Sequence, residues 1–304
     1  MRGFRLTMLL LVCCALAGGA AAQESLTLRI PPHVPTDLPP GQALRAPPPE
    51  QTYATLRLPR GVGRVPAVVI LHSAAGVDGR GEPYALALQA AGIASLELDM
   101  WRSRGVATGP ASGTTQRGST PRFLDTLPDL FGGLRALAAH PRIDPQRLGV
   151  MGQSFGASMA VLAATEPVWR TYGQGGPPLR AALALYPGCY RFEPGGGSAR
   201  FLTPGFPRVP LLLLVAEQDD YDADGGASCR TLMTRPSPEA QMRAMLHIYP
   251  GATHGWDVTR SRTIPEAGAA RGQGGLVRMQ QSPSTTEDSL RRATVFFSEQ
   301  LAAR

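Results

Sequence analysis

Short apolar runs bounded by polar or glycine-rich stretches recur along the chain. Those over 52–58, 67–72, 93–98, 147–151, 209–215 and 244–249 predict strands. The unbroken run Val209-Pro210-Leu211-Leu212-Leu213-Leu214-Val215 has the look of a strand buried on both faces. Helical spacing lies between them: 82–91 predicts one helix, and Leu124, Leu127, Leu130, Leu134 and Leu137 mark a longer one that tolerates Pro128. A closing helix over 287–301 would bury Leu290, Ala293, Phe296, Phe297 and Leu301. Alternating strands and helices predict an α/β fold with a mostly parallel central sheet and helices on both faces. With 304 residues and 43% apolar content the chain can bury the core of one large domain, placed at 51–304.

The N-terminus follows a different pattern. Arg2 and Arg5 precede an apolar stretch over 6–16, and Ala20-Ala21-Ala22 supplies small residues before Gln23. Residues 1–22 therefore predict a secretory signal peptide, too short to span a membrane, and an exported protein, periplasmic or extracellular, without a transmembrane segment in its mature form. Residues 23–50 form an expected leader, extended where prolines crowd 31–49. Cys13 and Cys14 would leave with the signal peptide. Cys189 and Cys229 would remain in a compartment where disulfides persist, both near the same end of the sheet, so a bridge between them is expected.

Net charge is +7, and all 30 basic residues are arginine. They are scattered, without the clustering or aromatic interleaving of a nucleic-acid footprint, so no nucleic-acid partner is expected. No pattern sets the oligomeric state.

Candidate chemistry centres on Gly152-Gln153-Ser154-Phe155-Gly156, a G-x-S-x-G directly behind the 147–151 strand. A serine on a sharp strand-to-helix turn is exposed, and glycines on either side let the neighbouring backbone pass. Serine needs a base to take its proton, and the base needs a third group to hold its tautomer. The 209–215 strand is followed by Ala216-Glu217-Gln218-Asp219-Asp220, and the 244–249 strand by Gly251-Ala252-Thr253-His254-Gly255-Trp256. Serine, aspartate and histidine in this order, each past the carboxyl end of a strand, match the arrangement of an α/β-hydrolase triad. His33, His72, His140 and His247 lack such a setting; His72 is expected as an orienting donor below the loop that follows it.

Leu71-His72-Ser73-Ala74-Ala75-Gly76, the segment around Ser154, Tyr186-Pro187-Gly188-Cys189, Ala216–Asp220 and Tyr249–Asp257 together resemble the dienelactone hydrolase family of α/β-hydrolases. The resemblance runs from about Pro66 to the C-terminus. It implies Ser154 as nucleophile, Asp219 as the orienting acid, His254 as base, and the backbone N–H groups of Ala74 and Phe155 as the oxyanion hole. Asp219 is preferred to Asp220 because the family keeps its acid at the fourth position of this turn. The family's namesakes carry a cysteine nucleophile and a glutamate where this chain has Ser154 and Ser73. The resemblance therefore implies a carboxylester hydrolase acting on a small-molecule ester or lactone, with no metal or organic cofactor.

Ser73, Trp101, Arg104, Tyr186 and Trp256 are expected near the substrate, and the polar stretches 102–120 and 259–286 are expected as loops. Asp220, Asp222 and Asp224 lack the glycine and distal glutamate of a calcium loop. A peptidase or amide hydrolase shares the triad pattern, and an exported binding protein could keep the fold without the chemistry.

Overall fold

The computed structural model describes residues 24–106, 121–203, 205–235 and 237–303; the expected signal peptide and most of the 102–120 stretch lie outside these. Eight strands form one sheet: β1 (Glu24–Ile30), β2 (Thr52–Leu58), β3 (Val65–Leu71), β4 (Ala94–Asp99), β5 (Ile143–Gln153), β6 (Leu179–Leu185), β7 (Leu211–Gln218) and β8 (Ala244–Thr253). Their order is β1-β2-β4-β3-β5-β6-β7-β8. β2 runs antiparallel to both β1 and β4, and the remaining pairs are parallel. This is the expected α/β fold, with its parallel part built by crossover helices.

Alternation along the strands divides the core into two layers. Val68 and Ile70 of β3, with Met151 of β5, join Tyr84, Leu88, Phe296 and Phe297 on one face. Ala67, Val69 and Leu71, with Leu148 and Val150, join Leu127, Leu130, Ala157 and Met159 on the other. The first face is covered by α1 (Gly81–Ala90) and the C-terminal helix Pro283–Gln300, the second by α2 (Phe123–Ala139) and α3 (Phe155–Ala163). The period-2 strand geometry sends neighbouring residues to opposite layers, so each strand needs apolar residues at nearly every position.

Two expectations change. Residues 24–30 are not a leader: β1 pairs with all of β2, from Glu24 opposite Leu58 to Ile30 opposite Thr52. The proline-rich segment after it is tied down as well. His33 donates its N–H to the carbonyl of Pro128 at 2.8 Å, and a Cβ on Gly132 would overlap Pro31. Helix α2 thus runs through Pro128 with the segment packed across it. The 259–286 stretch is likewise more than a loop. It holds an antiparallel pair, β9 (Arg262–Glu266) and β10 (Gly275–Met279), over a small cluster of Val258, Ala269, Val277 and Met279.

Candidate active site

Ser154 occupies the step between β5 and α3 with φ 51° and ψ −104°, a conformation costly for any residue with a Cβ. The surroundings leave little choice. A Cβ on Gly152 would overlap the backbone of Gly156, and one on Gly156 would overlap Leu71 and His72. The Ser154 N–H donates to the Leu185 carbonyl at 3.0 Å and the Gly156 N–H to the His72 carbonyl at 3.1 Å. The turn is thereby stitched to β6 on one side and to the end of β3 on the other.

The structure brings Ser154, Asp219 and His254 together at the carboxyl ends of β5, β7 and β8. Ser154 Oγ lies 2.9 Å from His254 Nε2, and His254 Nδ1 lies 2.8 Å from Asp219 Oδ2. With Nδ1–H donating to the carboxylate, Nε2 is left to accept the serine proton. The other Asp219 oxygen accepts the Tyr221 N–H at 2.9 Å. Asp219 and His254 are both buried, and the Tyr221 ring lies against the imidazole at a centroid distance of 4.4 Å. Asp220 points elsewhere, accepting from the Arg278 N–H and guanidinium at 2.8–3.0 Å. Burial raises the Asp220 carboxyl, but these bonds more than offset that and hold it below its usual range.

Phe155 is the first residue of α3, where backbone N–H groups have no acceptor within the helix. Ala74, in the loop after β3, lines the same cavity. That loop is fixed from beneath. His72 is buried, its Nδ1 2.7 Å from the Ser73 carbonyl, and its Nε2 accepts the Met100 N–H at 3.1 Å. The bond accepted by Nε2 requires a neutral ring, and burial lowers the His72 pKa in the same sense.

Ser154 and His254 open into a cavity of about 180 Å³, walled by Ala74, Phe123, Phe155, Ser158, Gly188, Arg191, Tyr221 and Glu266. A smaller adjoining recess of about 30 Å³ adds Ser73, Arg80, Arg262, Ile264 and Met279. Ser73 lines this recess, its hydroxyl accepting from the Arg80 guanidinium.

Four residues expected near the substrate are not on these walls. Trp101 is buried with its indole N–H on the Ala74 carbonyl at 2.9 Å. Arg104 turns into the protein to pair with Asp129 at 2.7 Å. Tyr186 is buried behind His254, ring centroids 4.9 Å apart, its hydroxyl donating to Asp257 at 2.7 Å. Trp256 packs edge-on against Tyr186 and Tyr249. Each has its polar tip satisfied inside the protein; Trp101 and Tyr186 in addition pack on Phe155 and His254.

Sequence reasoning missed Arg191, Tyr221 and Glu266. Glu266 comes from the β9–β10 pair, which also clamps the Asp219 loop: Ala270 and Arg271 donate N–H groups to the Asp220 and Tyr221 carbonyls at 2.8 Å. Cys189 and Cys229 are disulfide-bonded, with Asp222 between the bridge and the site accepting the Cys189 and Tyr190 N–H groups at 3.1 and 2.9 Å.

A family model described as the dienelactone hydrolase family matches residues 53–301. Among solved structures, a putative dienelactone hydrolase from Klebsiella pneumoniae subsp. pneumoniae is similar at 17% identity and a TM-score of 0.61, covering 91% of this chain and 99% of that one. A dienelactone hydrolase-like promiscuous phosphotriesterase, P91, from metagenomic libraries is similar at 18% identity and 0.57, covering 93% and 100%. Est1E from Butyrivibrio proteoclasticus is similar at 14% and 0.53, covering 91% and 99%. No curated protein matches the chain. At such identities the likeness to solved structures is one of fold.

Proposed function

The chain belongs to the dienelactone hydrolase family, and from that membership we propose that it is a serine hydrolase cleaving small carboxylic esters or lactones. The observation that carries the reading is the continuous chain of short contacts from Ser154 Oγ through His254 to Asp219. His254 takes the serine proton as Oγ attacks the ester carbonyl carbon. The N–H groups of Phe155 and Ala74 meet the oxyanion, each such donor being worth about 2.7–4 kcal/mol. His254 then passes the proton to the leaving oxygen, the acyl group stays on Ser154, and a water deprotonated by the same imidazole releases the acid. Asp219 holds the imidazole tautomer throughout.

Export is part of the proposal. The disulfide and the signal-like residues 1–22 both favour an oxidising compartment, and among the described residues no helix is long and apolar enough to cross a membrane.

The test is hydrolysis of a p-nitrophenyl ester series, acetate to decanoate, by the protein and its Ser154→Ala variant, with phosphonate labelling. Serine-dependent turnover and a single labelled Ser154 are expected. Equal rates in both proteins would overturn the assignment of Ser154, and an unlabelled serine without turnover would favour a binding protein that keeps the fold.

A further inference from the structure

Next to the main cavity lies a second of about 180 Å³. Leu124, Leu162, Phe123 and Phe201 supply its apolar lining, and three arginines, Arg122, Arg191 and Arg200, also line it. Phe123 and Arg191 line both cavities, so the two meet at this pair, with the Arg191 guanidinium 5.6 Å from the Phe123 ring centroid. Arg200 lies 4.8 Å over the Phe201 ring and is steadied by a 2.9 Å bond to the Gly41 carbonyl.

Size and wall chemistry narrow the guest. An apolar cavity of about 150 Å³ is enough to take up benzene, so the side cavity has room for one six-membered ring. Two phenyl rings and three guanidinium planes offer flat surfaces that stack on an aromatic guest in a way they cannot on an alkyl chain.

The position assigns the half of the substrate. His254 must reach the leaving oxygen to protonate it, so the leaving group lies on the His254 side. The side cavity meets the main one at Phe123 and Arg191, and the Phe123 ring packs at 4.7 Å on Phe155, the residue that supplies one proposed oxyanion donor. We propose that the side cavity is an acyl subsite for an aromatic ring joined by a short linker to the ester carbonyl, so that the preferred substrates are arylalkanoyl esters. This rests on the proposed role of Ser154 and goes beyond it in naming the acyl class.

A Cβ on Gly197, at the cavity wall, meets nothing within 4 Å, so a side chain can start there without collision at its first atom. The experiment compares p-nitrophenyl acetate, hexanoate and 3-phenylpropanoate as substrates of the wild type and of Gly197→Trp. The wild type is expected to favour 3-phenylpropanoate over hexanoate by about tenfold or more in kcat/KM, the range an added or lost apolar contact commands. Gly197→Trp should lose that preference while acetate hydrolysis stays within about twofold, because the acetyl group does not reach the subsite. Arg200→Ala, which removes one stacking plane, should lower 3-phenylpropanoate alone and serves if Gly197→Trp fails to fold. No preference in the wild type, or equal losses on all three esters, would overturn the subsite. If no ester is turned over, calorimetric titration of 3-phenylpropanoate and hexanoate into Ser154→Ala decides: tighter binding of the aromatic acid, abolished by Gly197→Trp, keeps the subsite, and equal binding removes it.

Discussion

The indole N–H of Trp101 donates to the main-chain carbonyl of Ala74 at 2.9 Å, while the Trp101 ring lies edge-on to both His72 and Phe155 at 4.9 and 5.1 Å. One side chain therefore anchors the residue that supplies one proposed oxyanion donor, through its carbonyl, and touches the residue that supplies the other. Trp101→Phe keeps most of the packing and removes the bond. Loss of about 1–2 kcal/mol of positioning would lower kcat on p-nitrophenyl acetate about 5–30-fold. Rates normalised to phosphonate-titrated sites separate this from a loss of folded protein, and an unchanged kcat per titrated site would remove Trp101 from any positioning role.

Asp219 and Asp220 are adjacent in sequence and opposed in use, one on His254 and the other on Arg278. Asp219→Asn would favour the wrong imidazole tautomer, a change that costs about 10⁴ in kcat where an aspartate plays this part. Asp220→Asn loosens only the clamp between the acid loop and β10, and a loss of about tenfold or less is expected. Steady-state kinetics of the two variants decide the matter, and a larger loss at Asp220 would reverse the assignment.

The cluster of Ser154, Asp219 and His254 was legible because each member sits just past an apolar strand and they come in a distinctive order, the choice of Asp219 over Asp220 resting on the family resemblance. β1 was harder to see. Leu26, Leu28 and Ile30 do alternate with polar residues, but the strand lies at the sheet edge and runs straight into prolines, which masked its period. β9 and β10 were hidden for a related reason: Pro265 interrupts one, glycines flank the other, and only a small satellite cluster anchors them. The cavity walls were not legible at all. Arg191, Tyr221 and Glu266 converge only once three separate connections have folded over the sheet, and no spacing in the chain encodes that meeting. Trp101, Arg104, Tyr186 and Trp256 turn inward, away from these walls, for the converse reason. Proximity to the site in sequence did not say whether a polar tip would face the cavity or find a partner in the interior.

Asp222 is pushed up to about 7, first by burial and then by the charge of Asp219. Because the folded-state value is raised above the ordinary 3.8, the folded protein binds the proton more tightly than the unfolded chain between these limits. This contribution to stability is fully present below the ordinary value and is lost as pH rises through about 7. His72, whose pKa is lowered by burial, works in the opposite sense, losing stability as pH falls below its ordinary 6.5, but it is present in any Asp222 variant and cancels in a difference. The urea midpoint of the wild type should therefore fall relative to Asp222→Asn between about pH 5 and pH 8. A difference that stays constant with pH would mean that Asp222 does not titrate in this range.

The Cys189–Cys229 bridge spans a sequence separation of 40 and ties two parts of the site together. Cys189 opens the turn Cys189–Phe192, which carries Arg191 into the cavity wall, and Cys229 lies in the helix Ala227–Thr234 that follows the Asp219 loop. Closing a loop of that length restricts the unfolded chain by about 4 kcal/mol on the chain-entropy estimate. For a protein of this size each kcal/mol moves Tm by about 2–4 °C, so the paired Cys189→Ser, Cys229→Ser variant should melt roughly 10 °C lower. Asp222 bonds the backbone of Cys189 and Tyr190 from the acid loop, which gives the same substitution a second consequence. Once the turn is released, Arg191 and Tyr221 no longer share a fixed wall, and KM should rise more than kcat falls. Thermal melts and steady-state kinetics on the same preparation test both consequences. An unshifted Tm would show that the bridge adds no net stability, and a fall in kcat at constant KM would show that it acts on the Asp219–His254 pair and leaves the wall in place.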